Sequence, residues 1–176
     1  NEADLKGKVK IEIAFLPGEQ YTYGKTQINI IGKRYNISEF DIRRELTYKE
    51  NQLYNKSQVV NSEFNISKIT LLDNPRINID SIDSLTKKID FIINARVGNK
   101  YDLTPELFGY YIENSFYIGT GLKYSDKYFL GGGRILTSSA RIYFNSVENN
   151  RFEFLNTIYQ PYLFNNRNIY GNWNIG

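Results

Sequence analysis

Three features of the sequence have residue types suited to chemistry: two carboxylate pairs, Glu12 with Glu19 and Asp80 with Asp83, and the glycine triplet Gly131–Gly133 in "YFLGGGRILTSSARIYF". Paired carboxylates are the apparatus of glycoside hydrolysis, but each of these acids falls in an alternating run or a turn, where solvated acids are ordinary. The triplet lacks the Gly-Lys-Ser/Thr ending and the following helix that a phosphate loop needs, and it leads into an alternating stretch instead. It reads as a tight turn. The chain has no Cys and no His, which removes thiol nucleophiles, imidazole acid–base catalysis and nearly all zinc sites. What remains for chemistry is carboxylates, Lys, Tyr and Ser, and none of these spacings points to a catalytic, metal or cofactor site.

The elements around these residues set the scale. With 176 residues, 41% of them hydrophobic, the chain is long enough for a domain with its own core and a further unit. Its formal charge of +3 comes from Lys and Arg scattered along the whole length, so no segment has the footprint of a nucleic-acid arm. There is no Met, and the chain is expected to be processed or part of something longer. No apolar run approaches the roughly 20 residues of a membrane helix. Barrels cross with short alternating strands instead, and an aromatic content of 15% keeps that option open.

The first half reads as α+β. In "KVKIEIAFL" Val9, Ile11, Ile13 and Phe15 alternate with Lys8, Lys10, Glu12 and Ala14, and Pro17-Gly18 ends the run. A second strand follows in "YGKTQINIIG". In "NISEFDIRRELTYKEN" Ser38 can cap, Asp41 stands three residues on and Ile37 can staple onto Ile42, which predicts a helix from about Glu39 to Tyr48. The same arrangement recurs with Asn55, Gln58, Tyr54 and Val59, predicting a helix that ends near Thr70, before Asp73-Asn74-Pro75. "RINIDSI" and "KKIDFIINARVG" then read as a closing hairpin. Strand, helix, helix, strand, strand is an α+β layer with both helices on one sheet face.

After Asn99 the sequence becomes strands and turns. Phe116, Ile118, Thr120, Leu122 and Tyr124 alternate with Tyr117, Gly119, Gly121 and Lys123; Leu136, Ala140, Ile142 and Phe144 alternate with Thr137, Ser139, Arg141 and Tyr143. One face is apolar and aromatic, and the other carries Lys, Arg, Tyr and Gly. Runs near ten residues with "NSVENN" as a turn fit membrane strands, and a soluble antiparallel sheet alternates in the same way. Tyr170 and Trp173 suit an interfacial aromatic girdle and ordinary strands alike. Lys123 and Arg141 would face a barrel lumen in the first case and solvent in the second.

Taken together the two halves resemble the outer-membrane assembly factors of the BamA and TamA family. "GKTQINIIGKRYNISEFDIRREL", with Arg43-Arg44-Glu45-Leu46, looks like the start of a POTRA domain, and Ser62, Ile66, Ile69 and Leu71-Leu72 match the pattern of its second helix. "FYIGTGLKYSDKYFLGGGRILTSSARIYFN" is similar to the family's first barrel strands, and "TIYQPYLF" to a strand ending in an Asn-Pro-Tyr-Phe-like turn. The sequence departs at "DNPRINID", which carries extra residues before the next strand, and at Gln160, which stands where Asn is common.

The resemblance implies an α+β POTRA domain (β-α-α-β-β) followed by antiparallel transmembrane β-barrel strands forming a partial barrel. Residues 1–16 would be the last strand of a preceding POTRA repeat, 17–99 the POTRA domain, and 100–176 the N-terminal barrel strands. It implies a non-enzymatic activity with no cofactor, the folding and insertion of β-barrel proteins into a Gram-negative outer membrane, with the POTRA part in the periplasm. The implied partners are unfolded outer-membrane clients, periplasmic or lipoprotein accessory subunits and outer-membrane lipid, with no nucleic acid. The first barrel strand, Lys100 to Tyr110, would be the lateral gate, offering the backbone of Leu103, Thr104, Glu106, Leu107, Phe108 and Gly109. Pro105 has no N–H and belongs at an edge, or else it begins a turn. Gly131, Gly132 and Gly133 would form a periplasmic turn between barrel strands, and Lys123 and Arg141 would point into the lumen. A two-partner secretion pore is the nearer alternative; a soluble periplasmic α+β/β-sandwich binding module is the alternative of another class.

Overall fold

A computed structural model of the chain describes residues 14, 18–32, 35, 37–112, 115–145, 150–166 and 169–176. The strand expected over 8–16, the preceding repeat of which it would be part, and most of the "NSVENN" turn lie outside these residues. The elements run β1 (Thr22–Ile31), α1 (Glu39–Arg43), α2 (Lys56–Ser67), β2 (Leu72–Asp83), β3 (Lys88–Val97), β4 (Tyr101–Ile112), β5 (Ser115–Asp126), β6 (Ile135–Phe144), β7 (Arg151–Gln160) and β8 (Gly171–Ile175). They form two sheets, one of three strands in the order β1-β3-β2 and one of five in the order β4-β5-β6-β7-β8.

In the small sheet the central strand β3 pairs parallel with β1 and antiparallel with β2. Its alternation turns Ile89, Phe91, Ile93, Ala95 and Val97 to one face, where they meet Ile42 near α1 and Ile66 and Ile69 near α2 in one buried cluster. Each of these Ile, Phe and Val side chains removed from water contributes about 1.5–3 kcal/mol. Tyr23 completes the core: it is fully buried, its ring stacks on Tyr48 with centroids 4.1 Å apart, and its hydroxyl donates to the Asn55 carbonyl at 2.7 Å. Ser62 also lies inside, fully buried. Its hydroxyl donates to the Gln58 carbonyl at 2.7 Å and accepts the Thr47 N–H at 2.8 Å.

That second bond explains a correction. The helix expected over Glu39–Tyr48 stops at Arg43. Ser38 caps it through the Phe40 N–H, but the next N–H groups, of Glu45 and Leu46, bond three residues back, to Ile42 and Arg43, tightening the end. The Thr47 N–H then goes to Ser62, which holds the chain in a non-helical path. The second helix, α2, begins at its expected cap, Asn55, and ends at Ser67, slightly before Thr70. A further correction concerns "DNPRINID". Its first residues do not precede the strand; they lie inside β2, as a bulge between Asp73 and Arg76 with Asn74 at φ 46° and Pro75 buried. A bulge absorbs residues that have no place in a regular ladder.

The large sheet is a plain antiparallel meander. Each of its links joins sequence neighbours, so β4 and β8 are left as its edges. Pro105 lies inside β4, paired with Leu122, and does not begin a turn.

Candidate functional site

The register of the meander sorts its side chains into two faces that run unbroken from strand to strand. Phe108 stands opposite Gly119, which stands opposite Tyr143; Glu106 stands opposite Gly121, and Gly121 opposite Arg141, which faces Glu153. The other face aligns Leu107, Thr120, Ile142 and Phe152. Burial on these faces is the reverse of a water-soluble sheet. Leu107 is 86% exposed, Phe152 70% and Ile118 60%, whereas Tyr143 is 7% exposed and Ser139 5%.

The covered polar face is built around glycines on β5. A Cβ at Gly119 would overlap the Phe108 ring, so glycine there lets that ring cross the strand and reach Tyr143, with centroids 4.9 Å apart. At Gly121 a Cβ would come within 2.9 Å of the Arg141 Cγ. Arg141 therefore lies across β5 and its Nε donates to Glu106 at 2.8 Å, tying β6 to β4 over the strand between them. Tyr143 donates to Glu153 on the neighbouring strand. Outside, Phe116 leans across Gly109, where a Cβ would approach its ring to 3.2 Å. Arg141 and Lys123 share the covered face with Gly119 and Gly121, and Leu103 and Pro105 share the exposed one.

Among the described residues β4 and β2 are the two long sheet edges, twelve residues each, and β2 is partly protected. In the small sheet, residues 51–54 bond back to Tyr21 and Tyr23 alongside β1, and the Arg43 guanidinium donates to the Thr26 carbonyl at 3.2 Å. The Ile77 N–H of β2 donates to Glu63 on α2 at 2.9 Å, just past the bulge. Bulges and capped N–H groups are ordinary protection against edge pairing. β8 is five residues long. β4 spans twelve, with one strand neighbour among the described residues. Leu103, Thr104, Pro105, Glu106, Leu107, Phe108 and Gly109 all lie in it.

A joint holds the α+β unit against the turns at one end of the meander. After β5 the chain passes through Leu130, Gly131, Gly132 and Gly133, all at positive φ between 53° and 80°. Four such residues in succession favour glycine, and three of the four are glycines. The turn this makes presents the Gly132 carbonyl to Arg44, whose Nη2 donates to it at 2.9 Å. The Arg44 guanidinium also lies over the Tyr162 ring, 3.7 Å from its centroid, and 3.3 Å from Asp41. Tyr162 donates to Glu45 and Tyr128 to Asp41, and the Ser38 N–H donates to the Tyr128 hydroxyl at 3.4 Å. Burial raises the pKa of the Tyr128 hydroxyl above the usual phenol value, and the Asp41 carboxylate raises it further. Tyr162 is raised by the same two causes, burial first and Glu45 second, with Arg44 opposing.

The structure puts Gly131–Gly133 in the turn between β5 and β6 and Lys123 and Arg141 on one sheet face. Sequence reading missed Arg44, Tyr128 and Tyr162 as a group, because they meet only in three dimensions. No group of three or more potential metal ligands is found among the described residues, and no helix among them is long and apolar enough to cross a membrane.

Fold and face together define a class: an α+β unit docked on an antiparallel meander that exposes its apolar side chains and covers its polar ones. No protein-family model and no curated protein sequence matches the chain. Among solved structures it is similar to CdiB from Acinetobacter baumannii, at 10% identity over 77% of this chain, with a TM-score of 0.56. It also aligns with BamA from Haemophilus ducreyi lacking POTRA domains 1–3, at 13% identity over 84% of this chain, with a TM-score of 0.46. The chain spans 25% of that CdiB chain and 34% of that BamA chain. The fold is thus one shared with part of that CdiB chain.

Proposed function

We propose that this chain belongs to an outer-membrane assembly factor that folds and inserts β-barrel proteins by strand addition, with the α+β unit as a periplasmic POTRA domain and β4–β8 as the first strands of a membrane barrel. The observation that carries the reading is the inverted meander: apolar side chains outward, and Glu106, Arg141, Tyr143 and Glu153 joined on the covered face. Such a sheet suits lipid on one side and a polar lumen on the other. In lipid every backbone group needs a partner, so the free side of β4 is a place where an extended chain gains hydrogen bonds. Leu103, Leu107 and Gly109 then act through backbone on that free side, Thr104, Glu106 and Phe108 hold the ladder to β5, and Pro105 weakens the seam with whatever strand closes the barrel. Unfolded clients, accessory subunits and lipid are the partners this function requires.

The test is insertion of a client barrel into vesicles by the full-length protein. Pro105→Val restores a donor, strengthens the seam and is expected to slow insertion; an unchanged rate counts against the gate. A second reading, a two-partner secretion pore, is favoured by the likeness to CdiB, a transporter of that kind. It predicts export of one dedicated substrate and no insertion of other barrels.

A further inference from the structure

Which side of β4 each backbone group faces can be read from three hydrogen bonds. The Glu106 carbonyl accepts from Thr120 Oγ1 on β5 at 3.2 Å, and the Lys100 carbonyl from the Lys127 N–H at 2.9 Å. On β5 the Phe116 carbonyl accepts from Asn145, beyond the end of β6, at 3.0 Å, which turns the next residue, Tyr117, toward its β4 partner Tyr110. Backbone groups alternate sides along an antiparallel strand. Even-numbered residues of β4 therefore pair with β5, and Leu103, Pro105, Leu107, Gly109 and Tyr111 face the free side. Pro105 leaves the β4–β5 ladder intact and removes a donor from the open edge alone.

The two halves of that edge are unequal. From Leu107 to Tyr111 the free groups are uninterrupted, and this half is pinned to β5 on both faces, by Phe108 over Gly119 and Phe116 over Gly109. The other half offers Tyr101 and Leu103 and ends at the docked α+β unit, where the Tyr101 and Tyr35 rings lie 6.4 Å apart. We infer that a strand added to β4 pairs with Leu107–Tyr111 and stops at Pro105, the partner being an extended segment of another polypeptide whose apolar side chains share the outward face of Leu107 and Tyr111. The inference rests on the gate reading and makes it specific: β4 has a pairing half and a releasing half.

The 176 residues contain no cysteine, so single Leu103→Cys, Leu107→Cys and Tyr111→Cys variants of the full-length protein in vesicles report contacts cleanly. The probe is a synthetic copy of Ser115–Asp126, an alternating strand of matching length, carrying one cysteine at successive outward positions. Disulfide yield at 107 and 111 is expected to exceed that at 103 roughly tenfold, the scale of one or two backbone hydrogen bonds. Adding Pro105→Val is expected to raise the yield at 103 to that at 107. Leu107→Pro, which leaves the β5 ladder untouched, is expected to lower the yield at 111 by roughly tenfold. Equal yields at all three positions, insensitive to Pro105→Val, overturn the division of the edge while leaving strand addition standing. No adduct at any position overturns strand addition to β4 and the proposed function with it.

Discussion

The small sheet and the large one solve opposite problems with the same alternation. In the α+β unit the apolar sides of β1 and β3 face inward against the helices, and Tyr23, Phe91 and Ile93 are within 1% of complete burial. In the meander the apolar side faces outward, and side chains such as Arg141 and Phe108 are folded over glycines on the covered side. A period of two fixes which residues share a face but not which face is covered. What fills the other side decides that: two helices in one case, the meander's own polar side chains in the other.

The contrast can be broken most forcefully from its conventional half. Phe91→Ala removes a buried ring from the core and is expected to destabilise the α+β unit by about 3–5 kcal/mol, read as lost protease resistance of that unit. Ile142→Arg, on the outward face of the meander, is expected to cost about 2–4 kcal/mol in a bilayer if it lies near the midplane, measured by denaturant titration in vesicles. On a soluble sheet the same surface change would stay within about 0.5 kcal/mol. A null result at Ile142 would therefore remove the asymmetry between the two regions.

Arg44→Ala tests what joins them. It deletes the bond to Gly132 and the stacking on Tyr162, a loss of about 1–3 kcal/mol. The α+β unit is expected to remain folded but to sample several orientations, read by distance distributions between spin labels on the two units. Unchanged distributions would show that Arg44 does not hold the joint. The smallest effect is on pH. The folded-state pKa values of Tyr128 and Tyr162 are raised above the ordinary value of 10.0. Their contribution is fully present below that value and is lost as pH rises through the raised ones, because the folded state holds protons the unfolded state has released. Docking is expected to loosen in that alkaline window, and Tyr128→Phe with Tyr162→Phe to flatten the dependence; a wild-type-like profile in the double variant would exclude the two phenols.

Much of this architecture is legible in order. The strands of the meander were readable because alternation is local, and the Asn55 cap because its bond to Ser57 spans two residues. The end of α1 was not, since it depends on Ser62 accepting the Thr47 N–H from another helix. Asp41, three residues after the cap, looked like half of a capping box; its carboxylate is engaged by Tyr128, 87 residues on. The bulge at Asn74-Pro75 read as a break because proline is ordinarily excluded from a ladder. The edge strand itself was readable through Pro105, but its pinning by Phe108 over Gly119 needs the register of two strands. Arg44 carried no signal of this joint beyond its place in the Arg43-Arg44-Glu45-Leu46 run, for its partners Gly132 and Tyr162 come from two distant turns.

The central claim, that the meander's outward face meets lipid, has a built-in reporter. Trp173 is the single tryptophan of these 176 residues; it stands opposite Ile158 on β8 and is 47% exposed. In vesicles whose acyl chains carry bromine, its fluorescence in the full-length protein, with any other tryptophan replaced, is predicted to be blue-shifted, strongly quenched by the lipid and shielded from aqueous acrylamide. Emission at the wavelength of tryptophan in water, quenched by acrylamide and indifferent to brominated lipid, would contradict it.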